Sequence, residues 1–240
     1  PCEICRMKLF CNATSPFARK VRVAMHEMGL SDRVEEVLTD PFAASPPPEL
    51  LAANPLSRIP TLITDEGLAL PDSKLILEWL QATQSNRLPV ESARWAAARR
   101  ATIAEGVIEA AVASVLEKRR PESIIMPAAL DRQADAIERA LDMLALESNA
   151  LGDPAAVPSV ANLTTGIALA YLDLRLPYLN WRQRAPSLIE WFDAFAARPS
   201  MLATARRQVN RQARHHVRRK TPDARDPESR YRSRTRRTGA

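Results

Sequence analysis

The chain has 240 residues, of which 46% are hydrophobic and 26% charged, as in a globular protein with a substantial core. No apolar run is long enough to cross a membrane, and the N-terminus lacks a basic stretch followed by an apolar one, so we expect neither a membrane helix nor a signal peptide. The net charge of +6 is uneven: from Arg206 onward there are 13 Lys and Arg against 3 Asp and Glu, leaving 21 against 25 in the rest.

The first third of the chain alternates strand and helix patterns. Apolar runs predict strands, Pro16 and Gly29 bound a helical repeat, and Asp65-Glu-Gly67 predicts a hairpin turn. The predicted order is strand, helix, strand, short helix, strand, strand, helix. In chain order these are Met7–Cys11, Pro16 to Gly29, 34–38, Glu49–Ala53, Thr61–Thr64, Leu68–Leu70 and a helix from Ser73 with a stripe of Leu75, Ile76, Trp79 and Leu80.

The remainder is helical in pattern after a predicted linker over residues 86–91, which contains Pro89. A small α/β unit followed by a helical block indicates two domains. Residues 206–240 lack apolar periodicity and are rich in Arg, Ser, Thr and Pro, which predicts a disordered basic tail. The predicted helices are Ser92–Arg119, Ala128–Asn149, Ser159–Arg175 and Pro186–Ala197.

Three short segments could carry chemistry, and the first is Thr14-Ser15-Pro16-Phe17 at the first helix start. A helix N-terminus offers unpaired N–H groups and positive potential, which can hold an anion such as a thiolate. A Ser hydroxyl there can donate to that thiolate. Taken by itself, the pattern is more typical of an ordinary helix cap.

The second segment is Asn54-Pro55 followed by Ile59-Pro60-Thr61-Leu62. A cis Ile59–Pro60 bond would leave the Ile59 backbone free to pair with a peptide ligand, as an added strand does. A trans proline at a strand start is the simpler alternative.

The third segment is Pro71-Asp72-Ser73 before the next helix. Asp72 could face a ligand ammonium group while Ser73 binds a carboxylate at the helix end. The alternative is a helix cap with no ligand.

In this order and spacing, the three segments resemble those of the glutathione transferase superfamily. A fourth similarity is Ser159-Val-Ala-Asn162, which resembles the family's capping box with Asn162 in place of the usual Asp. The resemblance runs from Met7 to about Ala205. It implies a thioredoxin-like βαβαββα domain over residues 7–85 and an all-helical domain over residues 92–205, with residues 1–6 as an extension outside the fold.

The resemblance also implies a glutathione site, with glutathione as cosubstrate and no metal. Ser15 would meet the glutathione sulfur, and Thr14 is the neighbour that could replace it. Ile59 would pair with the cysteinyl backbone, Asp72 and Ser73 would hold the γ-glutamyl end, and Arg58 is a weaker candidate for the glycyl carboxylate. The implied binding residues are Phe17, Arg58, Ile59, Pro60, Asp72 and Ser73.

A serine at position 15 cannot form a mixed disulfide, so conjugation or peroxide reduction is favoured over deglutathionylation. The resemblance implies a cytoplasmic, homodimeric detoxification transferase that acts on a small apolar electrophile lying against the first long helix of the second domain. A glutathione-dependent peroxidase, isomerase or dehalogenase stays open, as does a non-catalytic regulatory module similar to stringent starvation proteins.

Three further features have no expected functional role. Cys2-x-x-Cys5 precedes the first strand, whereas a thioredoxin-type pair follows it, so neither a redox nor a metal role is expected. The basic tail lacks interleaved aromatic residues and a recognised nucleic-acid fold, so nucleic-acid binding is not expected. Cys11 is predicted to be a small buried hydrophobe.

Overall fold

The computed structural model describes residues 6–85 and 87–205. Most of the predicted N-terminal extension, with Cys2 and Cys5, lies outside the described residues, as does the predicted basic tail.

A four-stranded sheet with strand order β2-β1-β3-β4 forms the first part of the fold. Strand β1 (Met7–Cys11) is parallel to β2 (Val34–Leu38) and antiparallel to β3 (Thr61–Ile63), which is antiparallel to β4 (Ala69–Pro71). Phe10 lies opposite Thr61, and Thr61 lies opposite Pro71. The end of β1, the start of β3 and the end of β4 therefore meet at one edge of the sheet, which we call the site edge.

The described helices follow the predicted order, which confirms the fold class: a thioredoxin-like α/β part and an all-helical part. Two short helices, Trp181–Arg184 and Pro199–Ala203, are not predicted from the sequence, and the predicted helix from Pro186 starts with a 3-10 turn. The helices are α1 Pro16–Glu27, α2 Pro48–Ala53, α3 Ser73–Thr83, α4 Arg94–Glu117, α5 Pro127–Leu146, α6 Val160–Arg175, α7 Trp181–Arg184, α8 Ile189–Ala196 and α9 Pro199–Ala203; the 3-10 turns are Ser31–Arg33, Glu122–Ile124, Ser148–Leu151, Pro177–Leu179 and Pro186–Leu188.

One predicted apolar stripe is partly wrong. In α3, Leu75 is 42% exposed, whereas Leu77 is buried. Ser73 is buried at the first turn, so the inward face follows the spacing 73, 76, 77 and 80, with Ile76 and Leu80 as its other members. This is the i, i+3, i+4, i+7 repeat of a single helix face.

Helix α6 is the centre of the helical part and packs closely against α4, α1 and α8. Gly166 of α6 faces the ring of Phe195 from α8. A Cβ placed on Gly166 would lie 2.2 Å from a ring atom of Phe195, so no larger residue fits without movement. That ring also stacks on Trp191 at a centroid distance of 4.9 Å.

Several polar contacts hold α1 against the helical part. Lys20 forms a buried ion pair with Glu105 of α4, with Nζ 2.5 Å from Oε2. At the other end of α1, Glu27 receives two hydrogen bonds from Arg198, at 2.9 and 2.7 Å. Arg19 donates to the carbonyl of Met201 at 3.0 Å. The helix that begins at Ser15 is therefore fixed relative to α4 and α9.

The start of α6 explains how the fold accommodates Asn162. Ser159 Oγ accepts a hydrogen bond from the Asn162 N–H at 3.2 Å and donates to Glu91 at 2.6 Å. Arg100 binds the same carboxylate at 2.6 Å. Glu91 therefore brings a carboxylate to this helix start from another part of the chain, and Arg100 balances its charge. The Asn162 amide donates to the carbonyl of Leu151 at 2.7 Å, which a carboxylate could not do.

Candidate functional site

The turn between β1 and α1 is built on Asn12. Its side-chain oxygen accepts from the N–H groups of Thr14 at 3.0 Å and Ser15 at 2.7 Å, which ends the strand and directs the chain into the helix. Ser15 is extended, with φ −76° and ψ 121°, and its Oγ accepts from the Ala18 N–H at 3.2 Å. Pro16 opens the helix at a position where no N–H is needed. The predicted helix cap at Ser15 is confirmed.

The two hydroxyls of this turn have different hydrogen-bond partners. The Thr14 hydroxyl donates to Asn12 Oδ1 over a long 3.4 Å. The Ser15 hydroxyl accepts from the helix, but its proton has no acceptor among the described residues. Ser15 is therefore the hydroxyl with a free donor at the positive end of α1.

The loop before β3 presents unpaired backbone groups. The Ile59–Pro60 bond is cis, the first of the two alternatives that the sequence left open. Within residues 6–85 and 87–205, the N–H and C=O of Ile59 make no hydrogen bond. The buried amide of Asn54 fixes the loop by donating to the Arg58 carbonyl at 3.1 Å and to Thr61 Oγ1 at 3.0 Å. Asn54 is part of the sequence motif, but its role in holding this loop was not predicted from the sequence.

The start of α3 lies at the site edge, because Pro71 is paired with Thr61. Asp72 has a positive φ of 76°, and its Oδ1 accepts from the Lys74 N–H at 2.7 Å, so it caps the helix. Ser73 is buried, and its Oγ has no hydrogen-bond partner in the described part of the chain. A buried hydroxyl without a partner at a helix start is suited to a ligand carboxylate.

A cleft of about 510 Å³ opens beside Ser15, between the sheet part and helices α4 and α6. Of the predicted site residues, Thr14, Ser15, Phe17, Arg58 and Ile59 line it, whereas Pro60, Asp72 and Ser73 do not. The full lining is Asn12, Thr14, Ser15, Pro16, Phe17, Pro41, Phe42, Leu56, Ser57, Arg58, Ile59, Val112, Val115, Leu116, Arg119, Tyr171 and Arg175.

Sequence reasoning missed the α6 wall of the cleft. Tyr171 and Arg175 lie four residues apart on α6, and this spacing alone gave no functional signal. Burial raises the pKa of the Tyr171 hydroxyl, and the neighbouring guanidinium groups of Arg175 and Arg119 offset part of that rise. The Arg119 guanidinium lies over the ring of Phe42, 5.6 Å from its centroid.

Other chemistry is limited in the described part of the chain. Cys11 is buried, and burial together with the Glu36 charge raises its thiol pKa to about 12. Residues 6–85 and 87–205 bring together no group of three or more His, Cys, Asp and Glu side chains that could hold a metal ion. Within the same residues, every helix is too short or too polar to cross a membrane.

Two protein-family models match the chain. The model of the glutathione S-transferase N-terminal domain matches residues 14–83, and that of the glutathione S-transferase C-terminal domain matches residues 127–194. YibF, an uncharacterized GST-like protein of Escherichia coli (strain K12), is 30% identical over 206 residues, covering 82% of this chain and 98% of YibF.

Solved structures give the same match over both parts of the fold. A glutathione transferase family member from Pseudomonas fluorescens Pf-5, with bound glutathione, is 37% identical with a TM-score of 0.76, covering 83% of this chain and 98% of its own. A glutathione S-transferase from Methylobacillus flagellatus KT, also with glutathione bound, is 35% identical with a TM-score of 0.74 over the same shares.

Proposed function

Because the chain belongs to the glutathione S-transferase family, we propose that it binds reduced glutathione at the site edge and transfers it to a small electrophile. The observation that carries this proposal is the Ser15 hydroxyl, whose proton is free at the start of α1 and at the wall of a cleft. Two relatives with at least 35% identity hold glutathione in their crystal structures, which supports the same ligand here.

The binding part of the proposal assigns three contacts. The free N–H and C=O of Ile59 would pair with the cysteinyl residue of glutathione, as an added strand does. The unpartnered Ser73 hydroxyl and the N–H groups at the start of α3 would hold the γ-glutamyl carboxylate, with Asp72 facing the ammonium group. Arg58 would face the glycyl carboxylate from the exposed side of the cleft.

The catalytic part of the proposal concerns the thiol. Ser15 would donate its proton in a hydrogen bond to the sulfur, and the positive end of α1 would further favour the thiolate. The thiol proton leaves to solvent, and a sulfur electron pair forms the new C–S bond. The leaving group departs with its bonding pair; on an activated double bond, the displaced pair instead takes a proton from water. Ser15 lowers the thiol pKa and does not itself exchange a proton.

The acceptor would have an apolar body, because apolar side chains form much of the cleft wall. Phe42 and Leu56 contribute from the sheet part, and Val112, Val115 and Leu116 contribute from α4. Such walls favour an apolar molecule by removing its surface from water.

Calorimetry with glutathione tests the proposal, combined with titration of the bound thiolate by ultraviolet absorbance. We expect wild type to depress the thiol pKa below its usual value near 8.5. Ser15→Ala should raise the pKa of the bound thiol by about 1 to 2 pKa units, which corresponds to the free energy of one hydrogen bond to a charged group. Thr14→Val is the matched control, because it removes the neighbouring hydroxyl and leaves the Ser15 proton in place.

Loss of a helix cap is a separate effect of Ser15→Ala and costs about 1 kcal/mol of stability. Ser159→Ala is the control for this effect, because it removes the cap of α6 at the end that does not line the cleft. It should leave the thiol pKa unchanged. If wild type binds no glutathione at millimolar concentration, a non-catalytic module becomes the better account. If glutathione binds but Ser15→Ala leaves the thiol pKa unchanged, the assigned role of Ser15 is wrong.

From the family resemblance we further propose a homodimer that acts in the cytoplasm in detoxification. Sedimentation of the full chain tests the dimer. Product analysis with aryl halides, hydroperoxides and haloalkanes distinguishes a transferase from a peroxidase or dehalogenase.

A further inference from the structure

The cleft beside Ser15 is lined by three arginines, Arg58, Arg119 and Arg175, and by no Asp or Glu among the described residues. None of these guanidinium groups forms an ion pair within residues 6–85 and 87–205. Several arginines elsewhere do form ion pairs: Arg184, for example, contacts both Glu138 and Asp142. The cleft therefore concentrates positive charge that the described part of the protein does not neutralise.

Two of the three arginines lie on the helical side of the cleft. Arg119 lies two residues beyond the end of α4, Arg175 is the last residue of α6, and both line the cleft together with Tyr171. Arg175 Nε is buried and has no hydrogen-bond partner in the described chain. A buried donor left without a partner is rare and costs free energy unless a ligand completes it.

The proposed glutathione contacts leave this pair unused. The γ-glutamyl carboxylate is assigned to the start of α3, and the glycyl carboxylate to Arg58 on the sheet side. Arg119 and Arg175 belong to the helical side of the cleft, which also contributes Val112, Val115 and Leu116 to its lining. The second substrate therefore meets an apolar wall with two guanidinium groups at its end.

We propose that the electrophile of this enzyme carries a carboxylate on an apolar body, and that Arg119 and Arg175 bind that carboxylate while the reactive carbon faces the glutathione sulfur. The inference rests on the proposed function and narrows its substrate class. The planar fork of a guanidinium matches a carboxylate through two parallel hydrogen bonds, which makes arginine more specific than lysine for this group. The carboxylate is not consumed: the C–S bond forms at a different carbon, and the leaving group departs from that carbon.

Binding of two matched conjugates tests the proposal without requiring turnover. S-(4-carboxybenzyl)glutathione and S-(4-carbamoylbenzyl)glutathione differ in charge and have nearly the same shape. Calorimetry on the full chain should give at least about tenfold tighter binding of the carboxylate, since a hydrogen bond to a charged group contributes that much or more. Arg119→Gln and Arg175→Gln should each reduce this preference severalfold. Arg132→Gln, which removes an exposed arginine of α5 outside the cleft, should leave it unchanged.

Binding of unmodified glutathione distinguishes a failure of the proposed function from a failure of the carboxylate inference. If wild type binds neither conjugate nor glutathione, the proposed function fails. If glutathione binds but the two conjugates bind equally, the carboxylate inference alone is wrong. If Arg119→Gln or Arg175→Gln weakens glutathione as much as the carboxybenzyl conjugate, those arginines hold glutathione itself, which also overturns the inference. Thermal unfolding of each variant identifies any that fails to fold, and Arg119→Lys and Arg175→Lys, which keep the charge, then replace it.

Discussion

Removal of either partner of the buried Lys20–Glu105 pair should destabilise the protein strongly. The side chains are 2% and 5% exposed, so Lys20→Met leaves a buried carboxylate and Glu105→Leu leaves a buried ammonium group. Breaking such a pair costs about 3–5 kcal/mol, whereas replacing both members by apolar residues is often close to neutral. We therefore expect each single variant to lose about 3–5 kcal/mol and the double variant to lie within about 2 kcal/mol of wild type.

A second ion pair on α4 provides the control. Lys74 of α3 and Glu109 of α4 are 3.7 Å apart, and both side chains are 60% exposed. A double-mutant cycle on Lys74 and Glu109 should give a coupling free energy of about 0–1 kcal/mol, because water screens the two charges. Urea denaturation with shared m-values measures both cycles. Single losses at Lys20 and Glu105 below about 1 kcal/mol, or a coupling no larger than that of the exposed pair, would refute the reasoning.

The pH dependence of the stability of the Glu105→Leu variant provides an independent test. Burial lowers the pKa of Lys20, and Glu105 offsets part of that effect. Without Glu105, the folded-state pKa falls further below the usual lysine value of 10.5. Between the two values the unfolded chain binds more protons than the folded one, so stability rises with pH in that window. We expect the deficit of Glu105→Leu relative to wild type to shrink as pH approaches the usual lysine value.

Three further predictions concern stability and reactivity. Gly166→Ala should cost about 1–3 kcal/mol through overpacking, whereas Gly106→Ala on exposed α4, with nothing within 4 Å, should gain up to about 1 kcal/mol; urea midpoints that move in the same direction contradict this. Asn162→Asp should lose about 1–3 kcal/mol in the same assay, because a carboxylate cannot donate to the Leu151 carbonyl, and a gain would show that charge at the helix start dominates. Cys11, with its thiol pKa raised to about 12, should resist alkylation at neutral pH until urea unfolds the chain, as mass spectrometry of the labelled peptide would show.

Features set by local sequence could be predicted, and Ser15 is the clearest example. A hydroxyl followed by proline at the start of an apolar repeat requires few other residues to act as a helix cap, and the structure has that cap. The order of strands and helices along the first part of the chain could likewise be predicted, because apolar strand runs and helical repeats alternate there.

Features that depend on contacts between distant residues were not predictable. The α6 wall of the cleft is an example, since Tyr171 and Arg175 acquire meaning only when α6 lies opposite Ser15. The replacement of a capping-box charge by Glu91, which is 68 residues from Ser159, is another. The α3 stripe failed for a different reason: Ser73 occupies an inward position, and a polarity pattern cannot show that a hydroxyl is buried.

The positive cleft contrasts with the rest of the folded chain. Before Arg206 the sequence carries 21 Lys and Arg against 25 Asp and Glu, so the three cleft arginines do not reflect a general excess of basic residues. Under the two proposals, a thiolate, the two carboxylates of glutathione and a carboxylate on the acceptor would place up to four negative charges in one site. The cleft arginines and the starts of α1 and α3 would offset this charge, whereas a carboxylate in the lining would add to it; the described lining contains no Asp or Glu.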